Sequence, residues 1–155
     1  MAKNKATLEV SAIENGTVID HIPPASLFKV IHLLGLDNVA NQVTFGTNLS
    51  SKRIGKKALI KINDKYFKDK DISYLALVAP QARISIIENY DVVEKRQIEP
   101  PAEVAGFVKC ANPMCITNHE PITTHFKVSS HDGQLELMCR YCEKSTYQNQ
   151  IQIIK

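Results

Sequence analysis

Leu8, Val10 and Ala12 alternate with Thr7, Glu9 and Ser11, the period-2 signature of a strand with one buried face. Asn15-Gly16 marks a turn after it. Beyond Pro23-Pro24, the residues Leu27, Val30, Ile31 and Leu34 fall at i, i+3, i+4 and i+7, the stripe of an amphipathic helix that Gly35 is placed to end. Gln42 to Leu49 and Lys57 to Asn63 read as two strands of a hairpin, joined by the polar loop 50–55. Asp69 or Asp71 is placed to cap a second helix, whose Ile72, Leu75, Ala76 and Ala79 repeat the stripe until Pro80 stops it. Ala82 to Asn89 reads as strand again, and Tyr90 to Arg96 as a further β-prone segment.

The predicted order is β-α-β-β-α-β, the ferredoxin-like arrangement in which two helices cover one face of an antiparallel sheet. Ile98 to Glu103 contains Pro100-Pro101. Consecutive prolines serve neither a helix interior nor a central strand, so the domain boundary is placed there, with one domain over 1–99 and another over 100–155. Past it no helical stripe occurs. Phe126/Val128, Leu135/Leu137 and Ile151/Ile153 alternate, and Asp132-Gly133 supplies a hairpin turn. The fold class is therefore α+β: a ferredoxin-like N-terminal domain followed by a small all-β domain. At about 50 residues, such a domain is of a size at which a metal is commonly recruited to support the core.

Composition narrows the function more by exclusion than by direction. The chain has 155 residues, 44% of them hydrophobic, ordinary for a globular protein. No leader pattern opens the sequence and no apolar run approaches a membrane span, so a cytoplasmic location and no membrane partner are expected. Net charge is +3, too mild to argue for nucleic acid. The excess is uneven: 14 basic and 11 acidic residues over 1–100, against 5 and 5 beyond. An anionic ligand is therefore expected on the N-terminal domain.

All four cysteines lie in the last third. They form the pattern Cys110-x4-Cys115, then 23 residues, then Cys139-x2-Cys142. Two short Cys loops let four thiolates converge on one tetrahedral ion, which reads as a zinc site. A closed four-sulfur shell has no open position for a reacting water, so the ion is expected to be structural. His119 or His125 replacing one cysteine, a redox-active Cys139-x2-Cys142 pair and incidental buried cysteines are weaker readings. The redox reading lacks its usual βαβ context.

Lys57 and Lys61 share parity on their strand while Ala58, Ile60 and Ile62 point the other way, toward the core. Lys56 and Lys95 lie nearby in pattern or topology. Lysines on one sheet face can hold phosphates as point charges, and Asp20 can accept hydrogen bonds from a ribose hydroxyl. Taken alone, such a face is more often an ordinary solvated surface, Tyr90 more often a partly buried sheet aromatic than a base-stacking residue, and His21 as readily a surface or packing histidine. No P-loop, GxGxxG turn or nucleophile-base pair is present, so no catalysis is expected. A zinc-ribbon nucleic-acid module is disfavoured by the balanced charge of the C-terminal domain.

The segments GTVIDHIP at 16–23, LIKI at 59–62, APQA at 79–82 and ENYDVV at 88–93, with Cys139-Arg140-Tyr141-Cys142-Glu143 in the cysteine pattern, resemble the regulatory chain of aspartate carbamoyltransferase, in order and over essentially the whole chain. The resemblance implies a non-catalytic subunit in feedback control of pyrimidine biosynthesis. Its N-terminal domain would bind CTP or ATP, and its zinc domain would dock on the catalytic chain. Regulatory chains would also pair with themselves through the allosteric domains. The effector site it implies comprises Val10, Ala12, Ile13, Asp20, His21, Lys57, Lys61, Ile87, Tyr90, Val92 and Lys95. Lys61 and Lys95 would face phosphate, Asp20 ribose, and the backbone near Ile13 and Tyr90 the base. One position departs, with Ser85 where enterobacterial members carry asparagine.

Overall fold

The structure, a computed structural model, describes residues 11–154. Five strands and two helices make the N-terminal part: β1 (Gly16–Ile22), α1 (Leu27–Leu33), β2 (Val43–Ser51), β3 (Gly55–Asn63), α2 (Asp69–Leu75), β4 (Arg83–Glu88) and β5 (Asp91–Gln97). The sheet order is β2-β3-β1-β4-β5, with each neighbouring pair antiparallel. That is the ferredoxin-like order with β5 added at one edge.

The first strand differs from the sequence expectation. Leu8 and Val10 lie outside the described residues, and residues 11–13, Ala12 among them, have no regular structure. The chain bends at Glu14 and Asn15, and Gly16 opens β1 instead of closing a turn. Glycine is required there. Its φ is 142°, and a Cβ would stand 2.0 Å from the Ile62 carbonyl oxygen. The alternation inside β1 is masked by an irregularity between Ile19 and Ile22, where His21 takes φ 60°.

The helices form at the stripes but stop short of their ends. α1 closes at Leu33, before Leu34. α2 closes at Leu75, because the amides of Ala76, Leu77 and Val78 bond three residues back and leave Ala76 and Ala79 beyond the helix, ahead of Pro80. Leu27, Val30, Ile72, Leu75, Ala76 and Ala79 are buried against Ile19, Ala58, Ile60, Ile62 and Ile84. Gly35 ends the first helix in the left-handed region at φ 67°. The cap of α2 is Lys68, whose side chain makes no capping hydrogen bond. Asp69 and Asp71 sit inside the first turn instead, where carboxylates complement the helix dipole. The hairpin strands run further into the polar loop than the spacing predicts, leaving only residues 52–54 as the turn.

The C-terminal part is a four-stranded antiparallel meander: β6 (Glu103–Ala105), β7 (His125–His131), β8 (Gln134–Cys139) and β9 (Ser145–Tyr147). Asp132-Gly133 makes the β7–β8 turn with φ 54° and 78°, as a primed hairpin turn demands. Ile151 and Ile153 do not form a strand. Ile153 makes only an isolated bridge to Val108, and the fourth strand is Ser145–Tyr147. The two parts touch through α2 and the segment after it. Tyr74 and Phe107 meet edge to face at 4.9 Å, and Gln148 Nε2 donates to the Leu77 carbonyl at 3.0 Å. Among the described residues, no helix is long and apolar enough to cross a membrane.

Candidate functional site

The four cysteines converge. Their sulfurs all lie within 4.8 Å of one another, with Cys110–Cys142 and Cys115–Cys139 each at 3.7 Å. Cys110 and Cys115 come from the loop before a short 3-10 turn at Ile116–Asn118; Cys139 ends β8, and Cys142 lies in the following turn. Each loop is braced from within. Asn118 Nδ2 donates to the carbonyls of Cys110 and Asn112 at 3.0 and 2.8 Å, and the Cys115 amide donates to the Asn112 carbonyl at 3.0 Å. On the other side, the Tyr141 amide donates to Cys139 Sγ at 3.4 Å, and Glu143 takes φ 63°. Thr146, fully buried, accepts from the Ala111 amide at 3.1 Å and so ties the two loops together.

The electrostatics suit a cation. Burial pushes the Cys110 thiol up to about 12 and raises Cys139. At Cys142 burial opposes ionisation, but hydrogen bonds from the Asn112 side chain and the Lys144 backbone outweigh it and bring the thiol to about 7. Buried thiolates need a compensating positive charge, which a bound ion supplies. His119 stays out of the cluster, its Nε2 2.8 Å from the Pro113 carbonyl. His125 sits on β7, its ring 6.4 Å from that of Tyr141.

On the N-terminal sheet, register places Lys61, Val18, Ser85 and Lys95 in one row across β3, β1, β4 and β5. The row lies on the face away from the helices, because Ile60, Ile62, Ile19 and Ile84 occupy the opposite parity and are buried. Lys57 and Asp20 share that face, and Lys57 Nζ is 2.9 Å from a carboxylate oxygen of Asp20. Lys61 Nζ donates to the Ser11 carbonyl at 2.7 Å, and burial lowers its pKa against the opposing pull of Asp20. Lys56 has the other parity, opposite Ser50 at the end of the hairpin.

A cleft of about 300 Å³ opens beside the row, lined by Asp20, His21, Arg83, Ser85, Lys95 and Gln97. His21 contributes a buried Nδ1 that has no hydrogen-bond partner among the described residues. Arg83 was not among the sequence candidates. Its parity with Ser85 on β4 carries the signal, and its pairing with Asp20 across β1 makes it a neighbour. The remaining candidates gather at the other end of the sheet. Ile87 pairs with both Gly16 and Val92, and the Tyr90 amide donates to the Glu14 carbonyl at 2.9 Å beside buried Ile13. Tyr90 itself is exposed. Val10 lies outside the described residues, and Ala12 is exposed.

Two known families match in sequence. The aspartate carbamoyltransferase regulatory chain, allosteric domain, matches residues 8–99, and the metal binding domain of the same regulatory chain matches residues 102–152. The aspartate carbamoyltransferase regulatory chain of Bacteroides fragilis is 49% identical over 154 residues, covering 99% of this chain and 100% of its own. That of Porphyromonas gingivalis is 48% identical over 150 residues, covering 97% and 99%. That of Pyrococcus horikoshii is 44% identical over 146 residues, covering 93% and 95%. With both domain types matched in order and the four sulfurs gathered in the second, the chain belongs to the family of aspartate carbamoyltransferase regulatory chains, which are non-catalytic subunits.

Proposed function

We propose that this chain binds CTP or ATP on the outer face of its N-terminal sheet and transmits the bound state to catalytic chains of aspartate carbamoyltransferase, as feedback control of pyrimidine biosynthesis. Residues 1–99 form the effector domain, and residues 100–155 form a domain organised by one structural zinc ion on Cys110, Cys115, Cys139 and Cys142. The subunits pair with themselves through the effector domains and work in the cytoplasm.

The observation that carries this reading is the cross-strand row with its neighbouring Lys57–Asp20 pair. It gathers Lys57, Lys61 and Lys95 on one side of a sheet whose other side is core. Lys61 and Lys95 meet the phosphates, Asp20 the ribose, and the backbone near Ile13 and Tyr90 the base. Val10, Ala12, His21, Ile87 and Val92 complete the surroundings. The sulfur spacing suits zinc as well. Four bonds of about 2.3 Å in a tetrahedron separate neighbouring sulfurs by about 3.8 Å, against 3.7 Å for two pairs here. Zinc bound this way supplies cross-linking of the two cysteine loops and no reaction chemistry.

Regulation then follows from linkage. A nucleotide that binds one quaternary state more tightly than another shifts the equilibrium by that difference, typically about 1 to 3 kcal/mol. Calorimetric titration of the zinc-loaded chain with CTP and with ATP tests the effector site. Saturable binding is expected, weakened about tenfold or more by Lys61→Ala and by Lys95→Ala. Absence of binding by both nucleotides refutes the effector assignment. Aspartate saturation curves of the reconstituted holoenzyme that overlay with and without each nucleotide refute the transmission.

A further inference from the structure

We infer that the cavity between the N-terminal and C-terminal sheets is a second ligand site, one that takes a phosphate group between Arg53 and Arg83. The cavity measures about 300 Å³, and among the described residues its walls share only Arg83 and Gln97 with the cleft beside the lysine row. Five segments meet there: the β2–β3 turn with Arg53, the loop after α2 with Pro80 and Gln81, the start of β4, the end of β5, and the β7–β8 hairpin with Ser130.

The chemistry of the walls selects the ligand. Among the described residues, Arg53 and Arg83 line the cavity and no acidic residue does. Among the described residues, neither Arg53 nor Arg83 forms an ion pair. The acidic group nearest in register to Arg83, Asp20, is already engaged by Lys57. Two unneutralised cations at one cavity create a local positive field; at His21, where burial lowers the proton affinity and Asp20 opposes it, Arg53 and Arg83 add to the lowering by Lys57. Guanidinium forks match the oxygens of a phosphate, and the amides of Gln81 and Gln97 with the Ser130 hydroxyl can donate to those that remain. No aromatic ring lines the cavity, so a nucleobase finds no stacking surface there. The size is at the small end of ligand cavities, which suits a compact anion.

Two sources can deliver that phosphate: free inorganic phosphate, or the tail of a nucleotide seated in the adjoining cleft. Titration calorimetry on the full zinc-loaded chain in phosphate-free buffer separates them, with inorganic phosphate and CTP as separate titrants. Variants are Arg53→Gln, Arg83→Gln, the charge-preserving Arg53→Lys, and Lys95→Gln from the lysine row. For inorganic phosphate the expected result is saturable binding, weakened about tenfold by Arg53→Gln and by Arg83→Gln, weakened less by Arg53→Lys, which keeps the charge but not the fork, and untouched by Lys95→Gln. If Arg53→Gln also weakens CTP, the nucleotide tail supplies the phosphate; if CTP is unaffected, free phosphate does. No saturable phosphate binding, or binding lost on Lys95→Gln while surviving Arg53→Gln, overturns the site. The phosphate arm stands even where CTP does not bind, so failure of the effector assignment and failure of this site are told apart.

Discussion

Lys57 Nζ stands 2.9 and 3.2 Å from the two carboxylate oxygens of Asp20, joining β3 to β1 across the face that carries the lysine row. The same carboxylate accepts the His21 amide at 2.6 Å, so one acidic group organises a cation and the bend of the strand. Both side chains are mostly shielded, at 19% and 27% exposed. The pair is therefore worth more than a typical surface ion pair. A double-mutant cycle with Asp20→Asn and Lys57→Met, read by urea denaturation, should return a coupling of about 1 kcal/mol. A coupling indistinguishable from zero would mean that the two groups are solvated independently.

His21 should make stability depend on pH. Burial lowers its pKa below the usual 6.5; Asp20 pulls it up, and Lys57, Arg53 and Arg83 push it further down. The unfolded chain therefore takes up the proton first as the pH falls. Stability is full above 6.5 and declines below it, until the folded state also protonates. His21→Asn preserves a residue type that accepts the positive φ of 60° but removes the titration. Denaturation at about pH 7.5 and about pH 5.5 should show a smaller loss in the variant than in the parent. Equal losses would place the titrating group elsewhere.

Gly16→Ala should be among the costliest single changes in the N-terminal domain. The new Cβ would meet the Ile62 carbonyl oxygen at 2.0 Å and the Asp64 amide nitrogen at 3.0 Å, both backbone atoms. Relief requires β1 to separate from β3, since Gly16 is the register partner of Asn63. Denaturation should show a loss of roughly 3 kcal/mol. A loss below about 1 kcal/mol would show that the strand entry relaxes freely.

Metal removal should act on one half of the molecule. Cys139 is fully buried where β8 meets the cysteine cluster, and metal at such sites stabilises by about 10 to 16 kcal/mol apparent. Cys139→Ser, or chelation of the parent, should collapse the dispersed amide NMR signals of β6 to β9 while those of β1 to β5 persist. Metal analysis of the parent should find one zinc per chain. Retention of a dispersed C-terminal spectrum after chelation would show that the meander holds itself together.

The local code is what the sequence by itself determined. Helical stripes at 27–34 and 72–79, the parity that separates Lys57 and Lys61 from Ala58, Ile60 and Ile62, the Asp132-Gly133 turn and the paired cysteine loops are all set by residues a few positions apart. Helix and strand periods act over that range, as does the reach of a short metal-binding loop. The first strand escaped this reading because its alternation is broken at His21, and because the segment before it also alternates. Ser145–Tyr147 escaped it because three residues are too few for a period, and its membership in the sheet depends on β8 beside it.

Tertiary structure alone decided which distant residues meet. The Lys61–Val18–Ser85–Lys95 row exists only once four strands are in register, the Lys57–Asp20 pair only once β3 lies against β1, and the arginine-lined cavity only once the β7–β8 hairpin closes over the ends of β4 and β5. Register between strands far apart in the chain is set by the burial of a shared core, and no short stretch of sequence contains that information.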